Sequence, residues 1–282
     1  MRRFEYFEPA TLGEAVALLA RFQGRAQPLA GGTDLLVELK EQLRRADCVV
    51  NIKKIPGMAG LSYDEREGLR IGALVTAREV EVSPFVLQHY SSLAQAAREL
   101  GSIQVRNRAT IVGNVCRASP SADTLPPLIA DAAVAEIHGR SGARKVPLEE
   151  FFTGPGKTVL GADELVTAIV VPPPAPRTGK IYIKHGRRKA MELATVGVAV
   201  SLTLNSEVRV VLGAVAPTPI RARKAEKVLQ GKKLNEELIE QAAQAAADES
   251  RPISNVRASA GYRRDMVRVL TRRALEQAIR CC

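Results

Sequence analysis

The stretch Pro28-Leu29-Ala30-Gly31-Gly32-Thr33-Asp34-Leu35 ends a short apolar run at two glycines. A second glycine segment, Thr110-Ile111-Val112-Gly113-Asn114, leads into Ala118-Ser119-Pro120-Ser121-Ala122-Asp123. Glycine reaches left-handed backbone conformations and leaves its amide open to close approach. Concave runs of backbone N–H groups bind anions without a lysine. Two such turns meeting in space would hold a diphosphate from both sides, as a dinucleotide cofactor requires. Neither segment matches the single G-x-G-x-x-G loop of dinucleotide-binding strand–helix units, so the pair says more than either alone. A lone Gly-Gly-Thr-Asp also fits a plain strand-to-helix turn. Asp123, on a loop shaped by Pro120, can accept hydrogen bonds from ribose or sugar-alcohol hydroxyls. It also fits as a cap for the helical stretch at 124–130.

Around these segments the pattern predicts three modules. Residues 4–7 read as a strand, and Thr11 with Glu14 forms a capping box before a helix carrying Ala15, Val16, Leu18 and Leu19 on one face. Residues 26–30 are extended and deliver the first turn. Residues 35–43 read as helix and 49–52 as strand, giving a small α/β unit over 1–55. In the middle module, 56–176, strands are expected at 69–73, 133–137, 144–146 and 165–171. Its helices are expected after a second capping box (Thr76, Glu79) and at 93–100 and 125–130. Pro172-Pro173-Pro174-Ala175-Pro176 can be neither helix nor central strand and marks the start of a third module, 177–282. There, strands at 180–184, 195–204 and 208–215, the last two joined tightly at Asn205-Ser206, precede helices at 221–229, 235–247 and 261–279.

Composition narrows the class. The 282 residues are 46% hydrophobic and 25% charged, ordinary for a globular chain of two or three domains. No apolar run approaches the roughly 18 residues of a membrane span, and the N-terminal residues do not read as a signal peptide; the reading is cytoplasmic. Cys48, Cys116, Cys281 and Cys282 show no Cys-x-x-Cys spacing, and His89, His138 and His185 lie far apart in sequence, so no metal site is expected. Residues 1–176 carry no net charge; the entire +11 lies in 177–282. That excess sits in clusters such as Arg187-Arg188-Lys189, Arg221-Ala222-Arg223-Lys224, Arg263-Arg264 and Arg272-Arg273. They read either as a solvated face or as a surface steering an acidic partner or anionic carrier. A pI near 9.8 also raises nucleic-acid binding, but no aromatic-basic platform accompanies it.

The two glycine segments resemble the flavin motifs of the FAD-binding subunits of molybdenum hydroxylases, among them the medium subunit of carbon monoxide dehydrogenase and the flavin domain of xanthine dehydrogenase. The resemblance covers essentially the whole chain. It implies an α+β fold: a two-subdomain FAD-binding domain of the p-cresol methylhydroxylase/vanillyl-alcohol-oxidase type, then a C-terminal domain of a small antiparallel sheet with helices. It implies diphosphate contacts at Leu29, Ala30, Gly31, Gly32, Thr33, Asp34 and Leu35, and at Thr110, Ile111, Gly113 and Asn114. Ser119 and Asp123 match further cofactor contacts. Leu100 and Val166 match apolar residues near the flavin, with Leu165 as a register alternative to Val166. Lys184, in Tyr182-Ile183-Lys184, matches a lysine beside the cofactor, though a surface lysine on a strand is the plainer reading. Relatives often carry Gly-Gly where this chain has Val112-Gly113, and the cysteine-rich insertion of benzoyl-CoA-type reductases is missing.

The family's function follows as an expectation. FAD would be held noncovalently, because the first turn offers no histidine or cysteine for attachment. The chain would be the electron-transfer subunit of a heteromer with a molybdenum-cofactor large subunit and a two-iron-two-sulfur small subunit, as a dimer of heterotrimers. It would pass electrons to NAD, a quinone or another carrier. No catalytic acid or base is required of it. The alternative is a free-standing FAD-dependent oxidase or dehydrogenase of the same superfamily. No nucleic acid is expected among its partners, and no transmembrane segment is expected in the chain.

Overall fold

A computed structural model describes residues 1–204 and 206–282; Asn205, assigned above to a tight connection, lies outside the described residues. Three main sheets succeed one another along the described residues, with a two-stranded ribbon beside the second. The first is parallel, ordered β1-β3-β2, from β1 (Glu5–Phe7), β2 (Ala26–Leu29) and β3 (Cys48–Asn51). All four β3 residues are buried, as expected of the middle strand of a parallel sheet. The Leu12–Phe22 helix packs Ala15, Val16, Leu19 and Phe22 inward. Thr11 caps this helix as expected, but Glu14 reaches the Ala10 amide rather than that of Thr11.

The second sheet is antiparallel, ordered β4-β5-β10-β6-β7. It comprises β4 (Leu61–Asp64), β5 (Gly68–Gly72), β6 (Val134–Gly139), β7 (Gly142–Pro147) and, after a ribbon of β8 (Phe152–Gly154) and β9 (Lys157–Thr158), the central strand β10 (Leu165–Val171). The register shifts between Val166 and Ala168, a bulge at Thr167. The Thr76 capping box has both of its hydrogen bonds.

The third sheet is antiparallel, from β11 (Thr178–His185), β12 (Val196–Thr203), β13 (Val208–Gly213) and β14 (Ile220–Arg221). Its two faces are covered by different parts of the molecule. Val196, Val198, Val200 and Leu202 face a core shared with the Glu236–Glu249 and Ala260–Arg280 helices. Tyr182, Ala199 and Val211 join the core of the first two sheets. The Leu125–Ala130 helix, entirely buried, packs on this second face. Burial on both faces explains why β12 reads as a nearly continuous apolar run.

A buried ion pair joins the third sheet to the rest. Lys180 Nζ of β11 lies 2.7 Å from Asp131 Oδ1, with side chains only 5% and 3% exposed, and 4.4 Å from the Tyr90 ring centre. Removing one partner strands the other charge in the interior. Asp131→Asn is therefore expected to cost about 3–5 kcal/mol in urea unfolding, and an Asp131→Leu/Lys180→Met double variant to recover most of that loss. A double variant no better than the single one would assign the cost to something other than the stranded ammonium.

Candidate functional site

Both glycine segments and the β11–β12 connection of the third sheet line one cleft of about 810 Å³, within the range of small-molecule sites. Its first wall is the turn after β2. Gly32 adopts φ +76°, and the amides of residues 31–34 donate to no protein acceptor among the described residues. Bare donors at a left-handed glycine are what an anion site of this kind requires. Asp34 precedes the Leu35–Lys40 helix without capping it; this helix is shorter than the expected 35–43. Glu38 on it pairs with both Arg44 and Arg117 at 2.7 Å, tying the first wall to the second.

The second wall differs from the expected turn. Residues Ile111–Arg117 form an α-helix capped by Thr110, so Gly113 sits in a first helical turn and not in a left-handed one. The correction has a local cause. Thr110 Oγ1 accepts the Gly113 amide at 3.0 Å, the arrangement of an N-cap, and the Ile111 amide donates to Val75 O. With the Asn114 amide donating to Thr110 O at 2.9 Å, three of the backbone amides expected to be free are already committed. A Cβ at Gly113 would meet Thr110 Oγ1 at 2.6 Å, so glycine here protects the cap.

The two walls touch through backbone. A Cβ at Gly31 would overlap the Arg108 carbonyl oxygen and lie 3.0 Å from Ala109 Cα. Gly31 is therefore needed for wall-to-wall contact, whereas the neighbouring Gly32 supplies the left-handed backbone.

Asp123 is 6% exposed and does not cap the Leu125–Ala130 helix, whose N-cap residue Thr124 makes no capping bond. Its Oδ1 accepts from Tyr182 Oη at 2.7 Å and its Oδ2 from Lys184 Nζ at 2.8 Å. Lys184 also donates to Glu99 O at 3.0 Å, and its side chain is 5% exposed, which rules out the surface-lysine reading. Burial pushes the Asp123 carboxyl up to about 6, against the pull of Lys184 and Tyr182. The same burial and the adjacent carboxylate lift the Tyr182 hydroxyl well above its ordinary value. Gly197, whose Cβ would meet Tyr182 Oη at 2.9 Å, clears the path for that hydroxyl.

Most of the residues singled out from sequence converge here. Ala30, Gly31, Gly32, Thr33, Asp34, Leu35, Leu100, Thr110, Gly113, Asn114, Ser119, Asp123 and Val166 all line the cleft. Leu29 and Ile111 are core residues behind it, and Lys184 reaches it through Asp123. Asn114 Oδ1 accepts from Thr124 Oγ1 at 2.6 Å, leaving its amide nitrogen to donate. Sequence reasoning missed Met191, Glu192 and Leu193, which line the cleft from the connection between β11 and β12. Two apolar residues in an otherwise basic loop were the available signal.

The chain's likeness to known proteins agrees with this geometry. Residues 2–174 match the family described as "FAD binding domain in molybdopterin dehydrogenase", and 181–278 match "CO dehydrogenase flavoprotein C-terminal domain". The xanthine dehydrogenase FAD-binding subunit of Escherichia coli O157:H7 is 35% identical over 279 residues, covering 97% of this chain and 95% of that protein. The carbon monoxide dehydrogenase medium chain of Hydrogenophaga pseudoflava is 35% identical over 284 residues, covering 99% and 98%. A solved structure of carbon monoxide dehydrogenase from the same organism superposes with TM-score 0.95 at 36% identity, covering 100% of this chain and 99% of that one. The chain belongs to this family of FAD-binding subunits, and FAD is its cofactor. The bare amides of residues 31–34, the left-handed backbone at Gly32 and the apolar lining from Leu100, Leu165 and Val166 fit that group.

Two measurements test the site. In Gly31→Ala the methyl would push Arg108 away, an overpacking defect of about 1–3 kcal/mol. Both apo-protein melting and FAD affinity by fluorescence quenching are expected to fall; unchanged affinity would mean the wall-to-wall contact does not shape the cofactor site. The second concerns pH. A carboxyl raised from 3.8 to about 6 takes up a proton more readily in the folded than in the unfolded state. It contributes stability that is fully present below 3.8 and lost as pH rises through about 6. The melting temperature of the apo-protein minus that of Asp123→Asn should therefore decrease across that window. A difference that rises with pH instead would mean that Lys184 outweighs burial.

Proposed function

We propose that this chain is the FAD-carrying electron-transfer subunit of a heteromeric molybdenum hydroxylase. In this reading it works in the cytoplasm beside a molybdenum-cofactor large subunit and a two-iron-two-sulfur small subunit, as a dimer of heterotrimers. The observation that carries the proposal is the single cleft joining residues 31–34, the Ile111–Arg117 helix and residues 191–193. We divide the chain into modules at 1–55, 56–176 and 177–282, a division supported by its three main sheets.

The residues have distinct tasks. The amides of residues 31–34 and the Thr33 hydroxyl hold the diphosphate. The Val112 amide, left uncommitted by its neighbours, and the Asn114 amide nitrogen face it from the second wall. Asp123 keeps lone pairs for ribityl or ribose hydroxyls while anchoring Tyr182 and Lys184. Lys184, pinned between Asp123 and Glu99 O, supplies a fixed positive charge at that end of the cleft. Leu100, Val105, Leu165 and Val166 exclude water. Bound there, FAD supplies a carrier that accepts electrons singly and releases them singly or in pairs, to NAD, a quinone or another acceptor.

The test is purification of the native assembly. FAD in a one-to-one ratio with this chain, released intact by acid, together with copurifying molybdenum and iron–sulfur polypeptides, is the expected result. A chain that purifies alone, with flavin rapidly reduced by a small alcohol or hydroxy acid, would instead establish a free-standing oxidase.

A further inference from the structure

Arg263 is 2% exposed, among the largest fully buried side chains of the molecule, although the sequence places it in a basic cluster. All its acceptors are uncharged. Nη1 donates to Thr195 O at 2.8 Å and Ala214 O at 3.0 Å, Nη2 to Asn255 Oδ1 at 2.8 Å, and Nε to nothing. The neighbouring charge is another cation, Arg257. The side chain also springs from the N-terminal end of the Ala260–Arg280 helix, where the helix dipole disfavours positive charge. Packing alone would be served better by an apolar residue, because a buried charge without a counter-ion is costly. What the guanidinium does must be sought in what it holds.

Its three acceptors lie on or connect to segments that line the cleft. Thr195 follows the loop whose Met191, Glu192 and Leu193 line the cleft. Ala214, in a left-handed conformation at φ +63°, donates its own amide to Pro120 O at 2.7 Å. Pro120 lies within the loop that contributes Ser119, Ser121, Ala122 and Asp123 to the lining. Asn255 Oδ1 also accepts from the Arg257 amide at 3.0 Å, and Arg257 Nη1 reaches Ser121 Oγ at 3.4 Å and Ala194 O at 3.3 Å.

We propose that Arg263 is a positioning residue for the cofactor cleft: its planar fork of donors fixes the 191–193 and 119–123 segments against each other, and FAD affinity depends on that fork. The proposal rests on the FAD reading above. Lysine cannot replace it, since a single ammonium does not span three acceptors.

The test uses the full chain as Arg263→Lys, Arg263→Met and Arg257→Ala. Three quantities are read: apo-protein melting, FAD dissociation constant well below the melting temperature, and trypsin cleavage of the apo-protein at Arg187, Arg188 or Lys189. Both Arg263 variants should bind FAD at least about tenfold more weakly while still melting cooperatively, and their 186–194 loop should be cut faster than in the parent. Arg257→Ala should show a smaller loss of affinity and an intermediate cleavage rate. Lower melting with unchanged affinity and cleavage would reduce Arg263 to an ordinary structural residue. Should the Arg263 variants not fold, unchanged affinity and cleavage in Arg257→Ala overturns the proposal. A parent chain that does not bind FAD defeats the functional reading instead, and faster cleavage of the apo variants would still support the clamp.

Discussion

The cleft exists because two backbones touch at Gly31. With no Cβ there, the turn after β2 lies directly against Arg108 and Ala109, which lead into Thr110 and its helix. Any side chain would force these walls apart, and the walls belong to different sheets. Glu38 reinforces the contact from the far end, with Arg44 on its own side and Arg117 across the gap. These are half-buried pairs, so their energetic weight is modest; their effect is to fix register between walls already in contact. The division of labour between adjacent glycines follows directly: Gly31 brings the walls together, and Gly32 supplies the left-handed backbone of the turn.

The third sheet closes the other end by a different principle. Its second face is covered by the middle of the chain, and two lysines of β11 cross the junction inside it. Lys180 meets Asp131 and Lys184 meets Asp123. The residues are four apart on one strand, so both point to the same face. One pair lies deep in the packing and the other at the cleft. Each is costly to strand and unforgiving of misplacement, which makes them devices of alignment more than of net stability. Asp123 is thereby both a wall of the cleft and the anchor by which the third sheet reaches it.

Much of this was legible in the sequence. Strand β10 and the Leu125–Ala130 helix fall where the apolar pattern places them, because both are short, buried and bounded by clear breakers. Both capping residues act as caps. What failed was local chemistry with two readings. Thr110 followed three residues later by Gly113 looked like a phosphate turn and is a helix cap. Capping needs only the threonine hydroxyl and an amide three residues on, and nothing in the segment itself separates the two. The Asp123–Lys184 contact spans 61 residues of sequence, so no local pattern could signal it; only the family resemblance placed both residues near the cofactor. Met191 and Leu193 escaped because a loop has no periodicity against which apolar residues stand out.

The basic C-terminal region shows how misleading a charge count is without geometry. Arg187 and Arg188 are drawn to Glu192, and Arg221 and Arg223 to Glu149 and Glu226. Arg263 is buried altogether. Glu149 belongs to the middle of the chain, so part of the excess is spent across the junction between sheets, in the same manner as Lys180 and Lys184. The residual positive field comes from exposed groups such as Lys189 and Arg264, which are screened within about 10 Å at 0.1 M salt. That field can steer an acidic partner or an anionic acceptor only over short range. The cations beside the cleft, Lys184 and Arg263, are instead removed from solvent, where salt screens them much less.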